Sequence, residues 1–162
     1  MPEPLIIWSV FVLVVLAGCW LKPNATRILL GCFFIVMAIG FHIVLILVNP
    51  RAYDGFATTA LLPIYRWIFR NLVSLYPLLF ALFAAAFELT IALLMLNKRQ
   101  YARLGLAIGS FFLLAITPLG VETLPNALLA LGLAYLATQE FDTSMLEAVR
   151  ARLHRHASTG IS

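Results

Sequence analysis

Three apolar runs, Leu5–Leu21, Ile28–Val48 and Val73–Leu96, each with at most one or two ionisable groups, constrain this chain more than any other feature. A helix rises about 1.5 Å per residue, so about 20 residues cross a hydrocarbon core of roughly 30 Å. Two shorter runs follow, Leu104–Thr117 and Asn126–Thr138, separated by Pro118-Leu119-Gly120 and Pro125, and each needs flanking residues to reach across. Backbone groups in lipid must pair within their own segment, which makes these runs helices, and the alternation that barrel strands need is absent. Composition agrees: 63% of the 162 residues are hydrophobic and 11% charged, against roughly a quarter charged in an average soluble domain. A chain this short has too little interior to hide that apolar surface from water. The expectation is an all-α, polytopic transmembrane helix bundle of five spans over residues 1–142, with a cytoplasmic tail over 143–162. Four spans result if the last two runs form one hairpin or the first is a leader.

Basic residues near span ends favour the cytoplasm. An outside N-terminus puts Lys22, Arg27, Lys98, Arg99, Arg103, Arg150, Arg152 and Arg155 inside, and only Arg51, Arg66 and Arg70 outside. Leu16-Ala17-Gly18-Cys19 matches a lipoprotein lipobox, but Met1-Pro2-Glu3-Pro4 lacks the Lys or Arg of a signal peptide, so the first run is read as a span. Asn24-Ala25-Thr26 matches a glycosylation acceptor that this topology places in the cytoplasm. The overall charge of +4 follows from topology and makes no case for nucleic acid.

The loop from Asn49 to Leu72 is too long for a turn. Its second half predicts a helix opening at Pro63, with Ile64, Trp67, Ile68 and Leu72 on one face and Arg66 and Arg70 on another. It should lie flat on the outer surface, anchored by Tyr65 and Trp67, with a lid over a cavity as the sharper alternative. In the tail, Ser144 and Glu147 have capping-box spacing. Met145, Val149 and Leu153 share a face, with Arg150, Arg152, His154, Arg155 and His156 elsewhere, as in a basic amphipathic helix resting on anionic headgroups.

Ionisable groups inside a span are costly and hence candidates for function; His42 and Glu88 qualify. Counted from the expected span ends, His42 lies roughly 9 Å below the outer boundary and Glu88 roughly 8 Å above the inner one, too far apart to be partners. Glu88 is expected to meet Arg27 or Arg103, and His42 to meet Asp54, Glu122 or a carbonyl. Their role is structural, or ligand-binding or proton-handling. Cys19 and Cys32 form no Cys-x-x-Cys, and one histidine within the spans is too few for haem or metal, so no cofactor is indicated. Gly105 and Gly109, with Ala130 and Ala134, allow close helix approach within the chain or at a homodimer seam. Pro77 is expected to kink the third span.

Arg27-Ile28-Leu29-Leu30-Gly31 with Phe34, Gly40 and His42, then Phe87-Glu88-Leu89, Lys98-Arg99 before Leu104-Gly105, and a closing Asp142 give spans two to five a resemblance to the DoxX-like family of small four-helix membrane proteins. It covers about 110 residues. The first span is extra, and Gln139-Glu140-Phe141 stands where the family has a Gly-rich motif. The resemblance implies a bacterial inner-membrane, non-catalytic subunit or accessory protein, beside a quinone-linked redox system or another membrane complex, with contact to quinone or lipid and a membrane-protein or homo-oligomeric partner. A weaker resemblance, carried by Glu88 alone, is to the four-helix sterol-isomerase and sigma-2-receptor group, which implies binding of lipophilic amines by acidic residues in the bundle. The alternative function is a small lipophilic-ligand binder, enzyme or transporter using a cavity between the second and third spans, with Glu88 and His42 as polar contacts.

Overall fold

The computed structural model describes residues 3–49 and 51–150, all helix, turn or connection, with no strand among them. Helices α1 (Glu3–Leu21), α2 (Pro23–Val48), α5 (Pro77–Leu96) and α6 (Arg99–Ile116) form the body of the bundle. Between α2 and α5 lie the short helices α3 (Phe56–Thr59) and α4 (Pro63–Ile68). A shorter apolar helix, α7 (Asn126–Ala137), completes the bundle. Proline sets three starts, since Pro23, Pro63 and Pro77 each stand in the first turn, where the missing N–H costs nothing. Pro77 therefore opens α5 and does not kink it, correcting the expectation, and the chain turns just before it at residues 74–76.

Among the described residues, four helices are long and apolar enough to cross a membrane, with α6 extended to Leu119. The fifth run is shorter: α7 has 12 residues, about 18 Å of regular helix. The helices alternate in direction. α1 packs on α7 and on the first half of α2, α2 on α5, α5 on α6, and α6 on α7. Their shared core holds Val12, Leu30, Phe34, Ile91, Leu106 and Leu133. The outer faces stay apolar, Trp20, Leu21, Val48 and Phe111 being more than 70% exposed, the pattern of a bundle solvated by lipid.

Tight crossings explain two glycines. A Cβ on Gly105 would sit 2.6 Å from Met95 N and 2.9 Å from Leu94 C, backbone atoms that cannot yield. One on Gly109 would meet chiefly the flexible end of Met95, at 2.6 Å from Cε. Gly105→Ala should therefore cost about 1–3 kcal/mol while Gly109→Ala stays within about 1 kcal/mol of neutral, read by thermal unfolding in one detergent. The two glycines pack α6 against α5 within the chain. Across the next crossing Ser110 Oγ donates to Ala130 O at 2.8 Å, while Ala134 is exposed, so of the expected pair on α7 only Ala130 lies at this crossing.

The expected surface helix divides at Ile68, its last turns, Phe69–Val73, having π geometry. It is tied into the bundle. Tyr65 Oη donates to Ala115 O at 2.6 Å, so Tyr65 is a strut and not a free interface anchor. Arg66 Nε donates to Ala60 O at 2.9 Å, while Trp67 and Arg70 are exposed.

Candidate functional site: a polar triad in an aromatic cavity

Beneath this loop lies a cavity of about 390 Å³. α1 contributes Trp8, α2 contributes Phe41 and His42, α5 contributes Phe80 and Glu88, and α6 contributes Phe112. Tyr53, Phe56 and Phe69 roof it, and Glu122 and Asn126 stand at the turn into α7. Among the described residues, seven of Phe, Tyr and Trp line the space and no Lys or Arg does.

The roof is built, not draped. Tyr53 and Phe69 are buried, with ring pairs Tyr53–Phe80 at 5.4 Å and Phe56–Phe69 at 5.3 Å between centroids. Leu61 N donates to Pro118 O at 2.8 Å, joining the loop to the end of α6. The loop thus covers a cavity between the spans, the sharper of the two expectations.

Three polar side chains meet on the cavity wall. His42 Nδ1 lies 2.6 Å from Tyr53 Oη, and His42 Nε2 lies 3.4 Å from Glu88 Oε2. The Tyr53 contact at Nδ1 leaves the opposite ring nitrogen, Nε2, facing Glu88. The approach does not make a hydrogen bond: Glu88 Oε2 is buried and has no hydrogen-bond partner among the described residues. Buried polar atoms are satisfied in the great majority of cases, so this acceptor is an exception that calls for a donor.

The meeting of His42 with Glu88 overturns the expectation that their depths keep them apart. Two local features bring them together. α5 begins at Pro77, four residues later than the apolar run suggested, which moves Glu88 toward mid-helix. Side chains also lean toward the N-terminus of their own helix. In antiparallel α2 and α5, His42 leans down and Glu88 leans up, closing several ångströms. Around His42, residues Met37–Val44 are π-helical, a geometry frequent at functional sites.

The other expected partners lie elsewhere. Asp54 accepts from Ser74 Oγ at 3.2 Å and does not touch His42. Glu122 lines the cavity without bonding to His42. Arg103 Nε donates to Ala137 O at 2.9 Å instead of reaching Glu88. Sequence reasoning missed Tyr53, Trp8 and Asn126, of which Trp8 Nε1 donates to Asn126 Oδ1 at 2.8 Å on the cavity wall. No periodicity marks Tyr53 in its loop; a tryptophan and an asparagine at the N-terminal ends of two parallel apolar runs was the only signal for the others.

Arg27 is at the opposite end and fully buried. Its Nη1 donates to Met95 O at 2.8 Å and to Asn97 O, and its Nη2 to Asn24 Oδ1 at 2.7 Å and Thr143 O at 2.8 Å. The guanidinium also lies 4.6 Å over the Phe141 ring. Arg27 therefore ties α2, the α5–α6 turn and the tail together, and is no partner of Glu88. Cys19 is buried and Cys32 exposed, both as free thiols.

The tail opens as its spacing predicts. Ser144 N donates to Glu147 Oε2 at 2.8 Å and Glu147 N to Ser144 Oγ at 3.3 Å, with helix over residues 145–150. Arg152, Leu153, His154, Arg155 and His156 lie outside the described residues. Lys98 Nζ pairs with Glu147 Oε1 at 2.5 Å, and its hydrogen bond is the main cause holding the Glu147 carboxyl down at about 2. A depressed carboxylate stabilises the docked tail above its ordinary range near 4.5 and loses that effect as pH falls toward 2. A nitroxide label at Val149 should thus gain mobility between about pH 4.5 and 2, and Lys98→Gln should be mobile already at neutral pH.

Among the described residues no group of three His, Cys, Asp or Glu side chains is placed to hold a metal ion. Comparison of the chain with protein-family models, with curated proteins and with solved structures found no match.

Proposed function

We propose that this chain is an integral membrane protein that binds a small lipophilic ligand in the cavity, with the ligand's hydrogen-bond-donating, preferably cationic, head against Glu88. The observation that carries this reading is the buried Glu88 Oε2, without a hydrogen bond among the described residues, beside an aromatic cavity. The chemistry follows from the walls. Two carboxyl groups and, among the described residues, no Lys or Arg favour a cation over an anion, and aromatic faces attract one further. The remaining lining is apolar and accepts a hydrocarbon tail, as small-molecule sites do. A primary alkylamine of about twelve carbons has this form.

The test is saturable binding. With the protein in nanodiscs, radiolabelled dodecylamine should bind at one per chain and be displaced by unlabelled amine, while dodecanol, similar in size but uncharged, should bind at least tenfold more weakly. Uptake that never saturates and equals that of empty nanodiscs would reject the reading.

We place the basic end, with Lys22, Lys98, Arg99, Arg103 and Arg150, in the cytoplasm and the cavity at the outer end. The DoxX-like resemblance supports a bacterial inner membrane. An accessory-subunit role is the second reading. It is favoured by a lipid-facing groove between α1 and α7, lined by Ala17, Trp20, Gly132 and Tyr135, that would take a partner helix. Co-purification of one larger membrane protein, lost on replacing Ala17 by Trp, would support that role.

A further inference from the structure

At the basic end a separate pocket of about 250 Å³ lies between the first turns of α6 and the segment following α7. Its walls carry Arg99, Arg103, Glu140 and Asp142, with Gln100 and Phe141 between them. Two guanidinium groups and two carboxylates thus face one space. None pairs with another: among the described residues the only acid–base contacts within 4.0 Å are His42–Glu88 and Lys98–Glu147. Opposite charges that surround a cavity without closing on each other leave room for a ligand with both signs. A simple anion would meet two carboxylates, and a simple cation two guanidinium groups.

Three further features give the space a polarity. Arg103 Nε is spent on Ala137 O, which orients the guanidinium and leaves both Nη groups without a hydrogen bond among the described residues. Arg99, at the start of α6, is the one non-glycine among the described residues with a left-handed backbone, φ 54°, where glycine fits at least cost. That backbone is pinned by Arg99 N donating to Phe141 O at 2.7 Å, so an arginine is kept at an unfavourable position beside the pocket. The first-turn N–H groups of the 18-residue α6 have no partner within the helix and favour an anion at the same side. Tyr101 and Leu104, both 50% exposed, continue the lipid-facing side of the helix from the pocket.

We propose that this pocket binds a phosphoethanolamine group, its phosphate held by Arg99 and Arg103 and its primary ammonium by Glu140 and Asp142. Arginine forks match phosphate oxygens in pairs. Carboxylates accept hydrogen bonds from a primary ammonium, which a trimethylated one lacks. The group can come from a membrane lipid or from a soluble phosphoethanolamine ester, and the site is independent of the outer cavity.

Native mass spectrometry of the full chain, exposed to equal amounts of dioleoyl phosphatidylethanolamine, phosphatidylcholine and phosphatidylglycerol, tests it. The ethanolamine lipid should be retained at least fivefold over each of the others. Glu140→Gln with Asp142→Asn should erase the preference over phosphatidylcholine and turn that over phosphatidylglycerol in the anionic lipid's favour. Arg99→Gln with Arg103→Gln should lower retention of both phosphatidylethanolamine and phosphatidylglycerol. Because Arg103 also holds α7, the carboxylate variant, altered only in exposed residues outside the helices, decides the matter if the arginine variant fails to fold. Glycerophosphoethanolamine added in tenfold excess separates the sources: no displacement assigns the site to lipid, and displacement assigns it to the soluble ester. Equal retention of the three lipids, or an unchanged preference in the carboxylate variant, would overturn the proposal.

Discussion

Glu88→Gln should lose dodecylamine binding by about 10- to 100-fold while the folded protein becomes no less stable. A hydrogen bond to a charged group contributes about 1.5–3 kcal/mol, and each 1.4 kcal/mol is tenfold in affinity. The amide keeps the shape of the side chain but not the carboxylate acceptor facing His42 Nε2 and the cavity. Stability should not follow affinity, because among the described residues Glu88 Oε2 has no hydrogen bond to lose, and the isosteric amide oxygen can keep the 3.4 Å approach to His42 Nε2. Unfolding midpoints without ligand and binding isotherms with it separate the two effects. A Glu88→Gln protein that melted far below the parent, with unchanged amine affinity, would show Glu88 to be a structural strut.

The second large effect belongs to the other end. Arg27→Leu should destabilise the bundle by about 4 kcal/mol, since it strands Met95 O, Asn97 O, Thr143 O and Asn24 Oδ1 together. Arg27→Lys should recover less than half of that. A single ammonium cannot serve acceptors grouped around the two arms of a planar fork, nor lie flat on the Phe141 ring as well. Thermal unfolding in mild detergent reads the ranking, and ligand affinity in whatever remains folded should be unchanged, as the cavity lies at the far end. Equal melting of the parent, Arg27→Lys and Arg27→Leu proteins would mean that the tail and the α5–α6 turn are held by something other than this guanidinium.

The bundle was legible because lipid imposes a coarse rule on sequence. Long apolar runs such as Ile28–Val48 must be helices, and the observed α2 contains that run whole. Local devices with short range were legible too: Pro63 opens its helix, and Ser144 with Glu147 closes a capping box. What escaped depended on three-dimensional register. His42 and Glu88 were both identified, yet their contact follows from a four-residue shift in the start of α5 and from opposite side-chain tilts, neither of which an apolar run encodes. Arg27 was read as a side chain reaching for an acid. It instead collects carbonyls from segments distant in the chain, an arrangement that sequence spacing does not reveal. Tyr53 lies in a loop without periodicity, and only the folded roof brings its hydroxyl to the imidazole.

The central claim is that the free oxygen of Glu88 takes its donor from a ligand. Infrared difference spectroscopy of the protein in lipid, with and without dodecylamine, addresses that oxygen directly. The account predicts a carboxyl-stretch change on amine addition that saturates with binding and is missing in the Glu88→Gln protein. A spectrum without carboxyl bands at saturating amine, or one that the Glu88→Gln substitution leaves unchanged, would contradict it.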